Sequence, residues 1–208
     1  MNNLPKKIPI FPLRGVIFFP ETNLPLNIFE SRYLKMVNNV LQNDKFLGMI
    51  QSKKVGGDLY QIGCLGKIDE HTATEDGRIL INLRGISRFK IDKEINNDEP
   101  YREFFVNYDF FKNDINPNKN NVKNEILSEL INNSKFSFKK YGIQINWSAL
   151  SKLSAEKQIY NLAMISPISV EEKQKLIEIS DLDEVANILN EFTKFSFYED
   201  SNQKKRLQ

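Results

Sequence analysis

Up to about residue 112, hydrophobic positions come in short runs cut by Pro and Gly, a pattern that predicts strands and tight turns around one helix. Pro9, Pro12, Pro20 and Pro25 lack the N–H that a ladder needs, so the strands they interrupt are expected to be edges, bulges or short pieces. Phe29, Tyr33, Met36, Val37, Val40 and Leu41 then fall on one helical face, so the segment from about 28 to 42 is expected to be an amphipathic helix lying on a sheet. Asn27 and Glu30 have the spacing of a capping box at its start. Strands are expected at 46–50, 59–68, 79–83 and 86–91, with Gly63 and Gly66 marking a bulge or close packing, and Gly56-Gly57 a turn. Asp76-Gly77 between two apolar runs is a hairpin signal. Phe104, Val106, Tyr108 and Phe110 alternate with Glu103, Asn107 and Asp109, the period of a strand with one buried face. Many short strands with glycine turns suggest a small closed or pseudo-closed barrel.

The segment 113–121, reading Asn-Asp-Ile-Asn-Pro-Asn-Lys-Asn-Asn, is a linker by composition. Beyond it the period becomes helical through Val122, Ile126, Leu130 and Ile131, with a stop near Gly142. Trp147 stands at a helix entry, and capping boxes at Ser169 with Glu172 and Asp181 with Glu184 announce two more helices. About four helices are expected to form a compact bundle, with the polar residues 199–208 fraying. The fold class expected is α+β, with a β-rich pseudo-barrel over 1–112, a linker over 113–121 and a helical bundle over 122–208.

Composition narrows the function. A chain of 208 residues, 40% hydrophobic and holding 15 Phe, can build one core or two small ones, which argues against disorder of the whole. Its mean hydropathy of −0.45 and lack of a long apolar run argue against a membrane span, and Pro5 and Pro9 leave no signal-peptide core after Met1, so a cytoplasmic location is expected. With 29 Lys plus Arg against 27 Asp plus Glu, the charge is too balanced for a nucleic-acid footprint, and the pairs Lys53-Lys54 and Lys139-Lys140 and the run 204–206 read as solvated surface. Cys64 has no intrachain partner, and its strand-like context favours a buried core residue over a reactive thiol.

Candidate chemistry is sparse. His71 is the only histidine, so no His-based zinc site or ordinary Ser-His-Asp triad suggests itself, and its polar surroundings make it an exposed strand-end residue. No phosphate loop of the GxxxxGK[ST] type is present, and no metal or cofactor is expected. Ser52-Lys53 and Ser134-Lys135 are neighbours in sequence only, which makes no nucleophile and base. The acidic residues 171, 172, 181 and 183 sit at helix starts, where they complement the macrodipole. What remains is surface for polypeptide. Val16, Phe18, Phe19 and Pro20, with Leu24 nearby, either fill the core or form an apolar patch that recognises exposed hydrophobic segments. An uncovered strand edge could also accept an extended peptide by β-addition.

Several of these stretches carry a resemblance. Phe11-Pro12-Leu13, Leu24-Pro25-Leu26 and Ile28-Phe29-Glu30-Ser31-Arg32-Tyr33, followed by Ile62-Gly63, Asp76-Gly77-Arg78 and Gly85-Ile86-Ser87-Arg88-Phe89, resemble the N-terminal substrate-binding domain of Lon proteases in content and order. The run from Ser169 to Leu182 is similar to the helical tail of stand-alone bacterial members, so the resemblance covers most of the chain. Glu21 departs from it, standing where many relatives have Gly. The resemblance implies a PUA-like architecture and non-catalytic recognition of unfolded or damaged polypeptides, as an adaptor beside a separate protease or chaperone. Lon-type ATPase and Ser-Lys peptidase centres belong to other domains of that family. An RNA-binding PUA-like module is the alternative, and the balanced charge counts against it. The motif residues Pro12, Leu13, Phe29, Glu30, Arg32, Tyr33, Gly63, Asp76, Gly77, Arg78, Gly85, Arg88 and Phe89 are expected to be structural, with Glu30 capping the helix and Arg32 pairing from helix to sheet.

Overall fold

A computed structural model describes residues 4–54, 57–115 and 122–206, with side chains through Lys194. The chain forms two compact units, 1–117 and 118–208. In the first, strands β1 (Lys7–Pro12), β2 (Asn23–Ile28), β3 (Phe46–Ser52), β4 (Leu59–Ala73), β5 (Ile79–Ile95) and β6 (Arg102–Asn107) make one sheet in the order β2-β5-β4-β3-β1-β6. Only β1 and β3 pair in parallel; the other pairings are antiparallel. β6 pairs with β1 and also with the last part of β5, so the sheet curls into a partial ring, which is the pseudo-closed form of the expected barrel. Period-two alternation sends Ile8, Ile10, Ile50, Leu65, Phe89, Phe104 and Val106 into its interior. Register shifts at Leu65/Gly66 and Ile68/Glu70 mark the bulges that bend β4 against β5.

The hairpin forms where Asp76-Gly77 predicts it. Gly77 takes φ +82, a conformation a side chain resists, and Asp76 accepts from Thr74 and Arg78 to hold the turn. Helix α1 (Ser31–Leu41) buries Tyr33, Met36, Val37 and Val40 as expected, but it starts later than its apolar stripe. Asn27 belongs to β2, opposite Leu80, and caps nothing. Glu30 is the N-cap by backbone only; its carboxylate takes Arg32 instead, 2.8 Å away, so neither the capping box nor the helix-to-sheet pair of Arg32 forms. The cause is Ile28, whose burial as the last residue of β2 keeps the chain extended through Glu30.

β6 likewise ends before its alternation does. Asn107 accepts the Asp109 N–H and turns the chain into a 3-10 helix over Asp109–Asp114, which buries Phe111 and leaves Phe110 66% exposed. Residues 113–115 of the expected linker are therefore part of the first unit, and 116–121 lie outside the described residues. The reason is Asp114, which accepts from the Arg88 backbone N–H (2.8 Å), Nε (2.9 Å) and Nη2 (2.7 Å). Both side chains are almost fully enclosed, and the guanidinium also stacks 4.4 Å over Phe111.

The second unit holds α2 (Asn124–Lys140), α3 (Trp147–Leu150), α4 (Ala155–Ile165), α5 (Val170–Glu178) and α6 (Leu182–Arg206). The reciprocal Ser169–Glu172 capping box forms, and Asp181 accepts the Glu184 N–H at 2.8 Å ahead of α6. α4 is a helix that no expectation singled out, although Ser154 caps it and Ile159, Leu162 and Ala163 line its buried face. Trp147 packs its ring 6.0 Å from that of Phe138. The terminal segment expected to fray is helical in its backbone through Arg206, and residues 207–208, like Gly56 of the expected Gly56-Gly57 turn, lie outside the described set.

Candidate polypeptide-binding surface

The Val16–Pro20 run lies in the loop between β1 and β2, and that loop is pinned from several sides. Leu13 donates its N–H to the Ile50 carbonyl, and Gly15 to the Gln51 side chain. At the far end the Glu21 N–H donates to the Gly85 carbonyl and the Gly85 N–H to the Thr22 carbonyl, while the Thr22 hydroxyl donates to the Phe19 carbonyl at 2.6 Å. Gly85 is required here, since a side-chain carbon at this position would strike the Phe19 carbonyl oxygen. The result is a plug. Phe18 is 1% exposed, with its ring edge against Gly66, and Phe19 is fully enclosed. Pro20 is buried too, so Phe18, Phe19 and Pro20 are core residues here and not an apolar patch; Val16 and Leu24 are half-buried.

Apolar exposure gathers instead one strand later. β2 pairs with β5 alone and is an open edge of the sheet. Phe29 beyond its end is 65% exposed and Leu80, across from Asn27, is 46% exposed on the outer face, while Leu24 and Leu26, across from the buried Leu83 and Ile81, are half-buried on the opposite face. Pro25 stands mid-strand, where its missing N–H is tolerated because an edge residue can face away from β5. The same proline interrupts the row of donors an added strand would need, so this edge offers side chains more than a ladder. The outer end of β4, Asp69 to Thr72, is polar and exposed.

The Ser-Lys neighbours of the sequence do not converge among the described residues. Ser52 is buried while Lys53 is exposed and lies 5.7 Å over the Tyr60 ring, so the two diverge. Lys135 lies over Trp147, away from the buried Ser134. His71 is an exposed β4 residue opposite Ile81, and the described residues hold no group of three or more His, Cys, Asp or Glu placed for a metal ion. Burial pushes the Cys64 thiol well up, which keeps it protonated and inert. No helix of the described residues is long and apolar enough to cross a membrane.

The family model for the substrate-binding domain of ATP-dependent protease La (LON) matches residues 7–194. The chain belongs to the Lon substrate-binding domain family. Its relatives include the Lon protease of Cytophaga hutchinsonii, 25% identical over 90% of this chain, and that of Flavobacterium johnsoniae, 26% identical over 89%. The chain spans 24% of the length of each. Among solved structures, the Lon N-terminal domain protein of Xanthomonas campestris superposes with TM-score 0.65 at 19% identity, over 88% of this chain and 96% of that one. The N-terminal domain of Mycobacterium avium complex Lon protease gives 0.63 at 15% identity, over 91% and 98%. The match is confined to this Lon domain and includes no ATPase or peptidase domain.

Within the Lon motifs, most residues hold the fold. Pro12 closes β1, and Tyr33 sets its ring 4.5 Å from that of Phe11 beneath the Arg32 guanidinium. Gly63 faces Phe89 across β4 and β5. The Asp76 carboxyl is held well below the usual range by hydrogen bonds from Arg78 and Thr74 at the hairpin turn. Phe29 is the exception, being displayed rather than packed. Two residues escaped the sequence reading. Leu80 is displayed because its register partner Asn27 lies on the outer face, and Asp114 sits in an Asn-rich stretch where nothing local distinguishes it from a linker residue.

Proposed function

We propose that this chain is a non-catalytic module that binds unfolded or damaged polypeptides, using the β2 edge with Phe29 and Leu80. The observation that carries the reading is the display of Phe29 and Leu80 on an ordered sheet edge, in a family named for substrate binding. Burying one such side chain against a hydrophobic client segment contributes about 1.5–3 kcal/mol, and it asks little of the client's sequence. We extend the proposal to an adaptor role in the cytoplasm, delivering clients to a separate protease or chaperone without catalysis by this polypeptide.

The test is fluorescence anisotropy of labelled, reduced and carboxamidomethylated α-lactalbumin and of a labelled single-stranded RNA against the purified chain, without nucleotide, across salt concentrations. Saturable, weakly salt-dependent binding to the unfolded protein is expected. Steeply salt-dependent binding to RNA alone would overturn the proposal in favour of a nucleic-acid module.

A further inference from the structure

The first unit has a cleft of about 480 Å³ whose lining includes no residue of β2. It lies between the C-terminal end of α1 and the starts of β1 and β6, with Pro5, Pro9 and Phe46 as apolar walls. Polar groups converge on it. Asn39 donates to the Tyr101 hydroxyl oxygen at 2.9 Å, which leaves the phenolic hydrogen free to donate elsewhere. Asp44 accepts the Phe46 N–H through one oxygen and forms no ion pair among the described residues. Glu103 lines the cleft as well, held 3.0 Å from Lys7.

Charge therefore identifies the occupant. Asp44 and Glu103 outnumber Lys7 among the lining residues. The Phe46 ring already attracts the Lys67 ammonium, 5.5 Å from its centroid, so an aromatic wall suited to cations borders the acidic groups. Phe105, 48% exposed, lies across from Lys7 in the β1–β6 register and continues the apolar surface beside the cleft. We propose that this cleft receives an arginine or lysine side chain of a bound polypeptide, whose neighbouring hydrophobic residues lie on Pro5, Pro9 and Phe105. The inference rests on the polypeptide-binding reading and deepens it, since it selects client segments in which a basic residue sits beside apolar ones. Lys7 is then an internal competitor that holds Glu103 until such a side chain arrives.

Anisotropy of three labelled twelve-residue peptides, identical in their leucines but carrying Arg, Gln or Glu at two positions, tests this on the full chain. The Arg peptide is expected to bind tightest. Asp44→Lys is expected to weaken the Arg peptide about tenfold while leaving the Gln peptide unchanged, a difference of about 1.4 kcal/mol. Lys7→Gln is expected to tighten the Arg peptide, because it removes the cation paired with Glu103 and leaves only the neutral Asn97 amide on that carboxylate. Asp44→Asn, which keeps the acceptor for the Phe46 N–H, gives the same direction more weakly and serves if Asp44→Lys loses its far-UV circular dichroism. An Arg preference that is absent, or that survives both Asp44 variants, overturns the cleft while binding of the Gln peptide leaves the wider reading standing. Failure of every peptide and of unfolded α-lactalbumin overturns both.

Discussion

Ile17–Pro20 and Leu24–Phe29 are two apolar stretches separated by three residues, yet the first is sealed inside the sheet and the second stands at its open edge. Hydrophobicity does not separate them. What does is the backbone around each: the first is drawn inward by the bonds that Gly85 makes to Glu21 and Thr22 and by the lack of a side chain at Gly85, while the second has β5 on one side only. An apolar run in sequence thus indicates burial or display only once its neighbours are known.

The sharpest way to break this contrast is Phe19→Ala. Emptying an enclosed phenyl site is expected to cost about 3–5 kcal/mol, read as a lower urea midpoint, whereas a surface role would leave the midpoint unchanged. Asp114→Ala comes next. It strands the buried Arg88 guanidinium, with an expected loss of about 3 kcal/mol, while Asp76→Ala, whose ion pair with Arg78 is exposed, is expected to change the urea midpoint little. The double change Phe29→Ser with Leu80→Ser tests the displayed edge. Stability is expected to stay within about 0.5 kcal/mol, while affinity for unfolded α-lactalbumin falls about tenfold. The smallest effect is expected at the hinge between the two stretches, where Glu21 adopts φ +59 at an exposed position. Glu21→Gly should raise the thermal midpoint by relieving about 1 kcal/mol of left-handed strain; an unchanged or lower midpoint would show that no such strain is stored.

Legibility followed the range of the forces involved. The hairpin at Asp76-Gly77, the Ser169–Glu172 box and the buried stripe Tyr33, Met36, Val37 and Val40 rest on contacts within a few residues, and all are where the pattern places them. The capping box at Asn27 failed because a local motif competed with a distant pairing, Asn27 with Leu80, and the sheet prevailed. Phe110 failed likewise, its alternation cut short by the turn at Asn107. Asp114 was illegible because its partner Arg88 lies 26 residues away, and composition around it resembles a linker.

By itself, then, the sequence determined the strand-rich first part, the helical second part, the Asp76-Gly77 hairpin, the caps at Ser169 and Asp181, and membership of the Lon substrate-binding family, because these depend on local periodicity, capping and ordered motifs. The tertiary structure alone decided that Phe18 and Phe19 are core, that Phe29 and Leu80 are displayed, and that Asp114 is buried against Arg88. Each of those outcomes depends on strand register and on which residues distant in sequence reach the same point in space, and neither is written in any short stretch of chain.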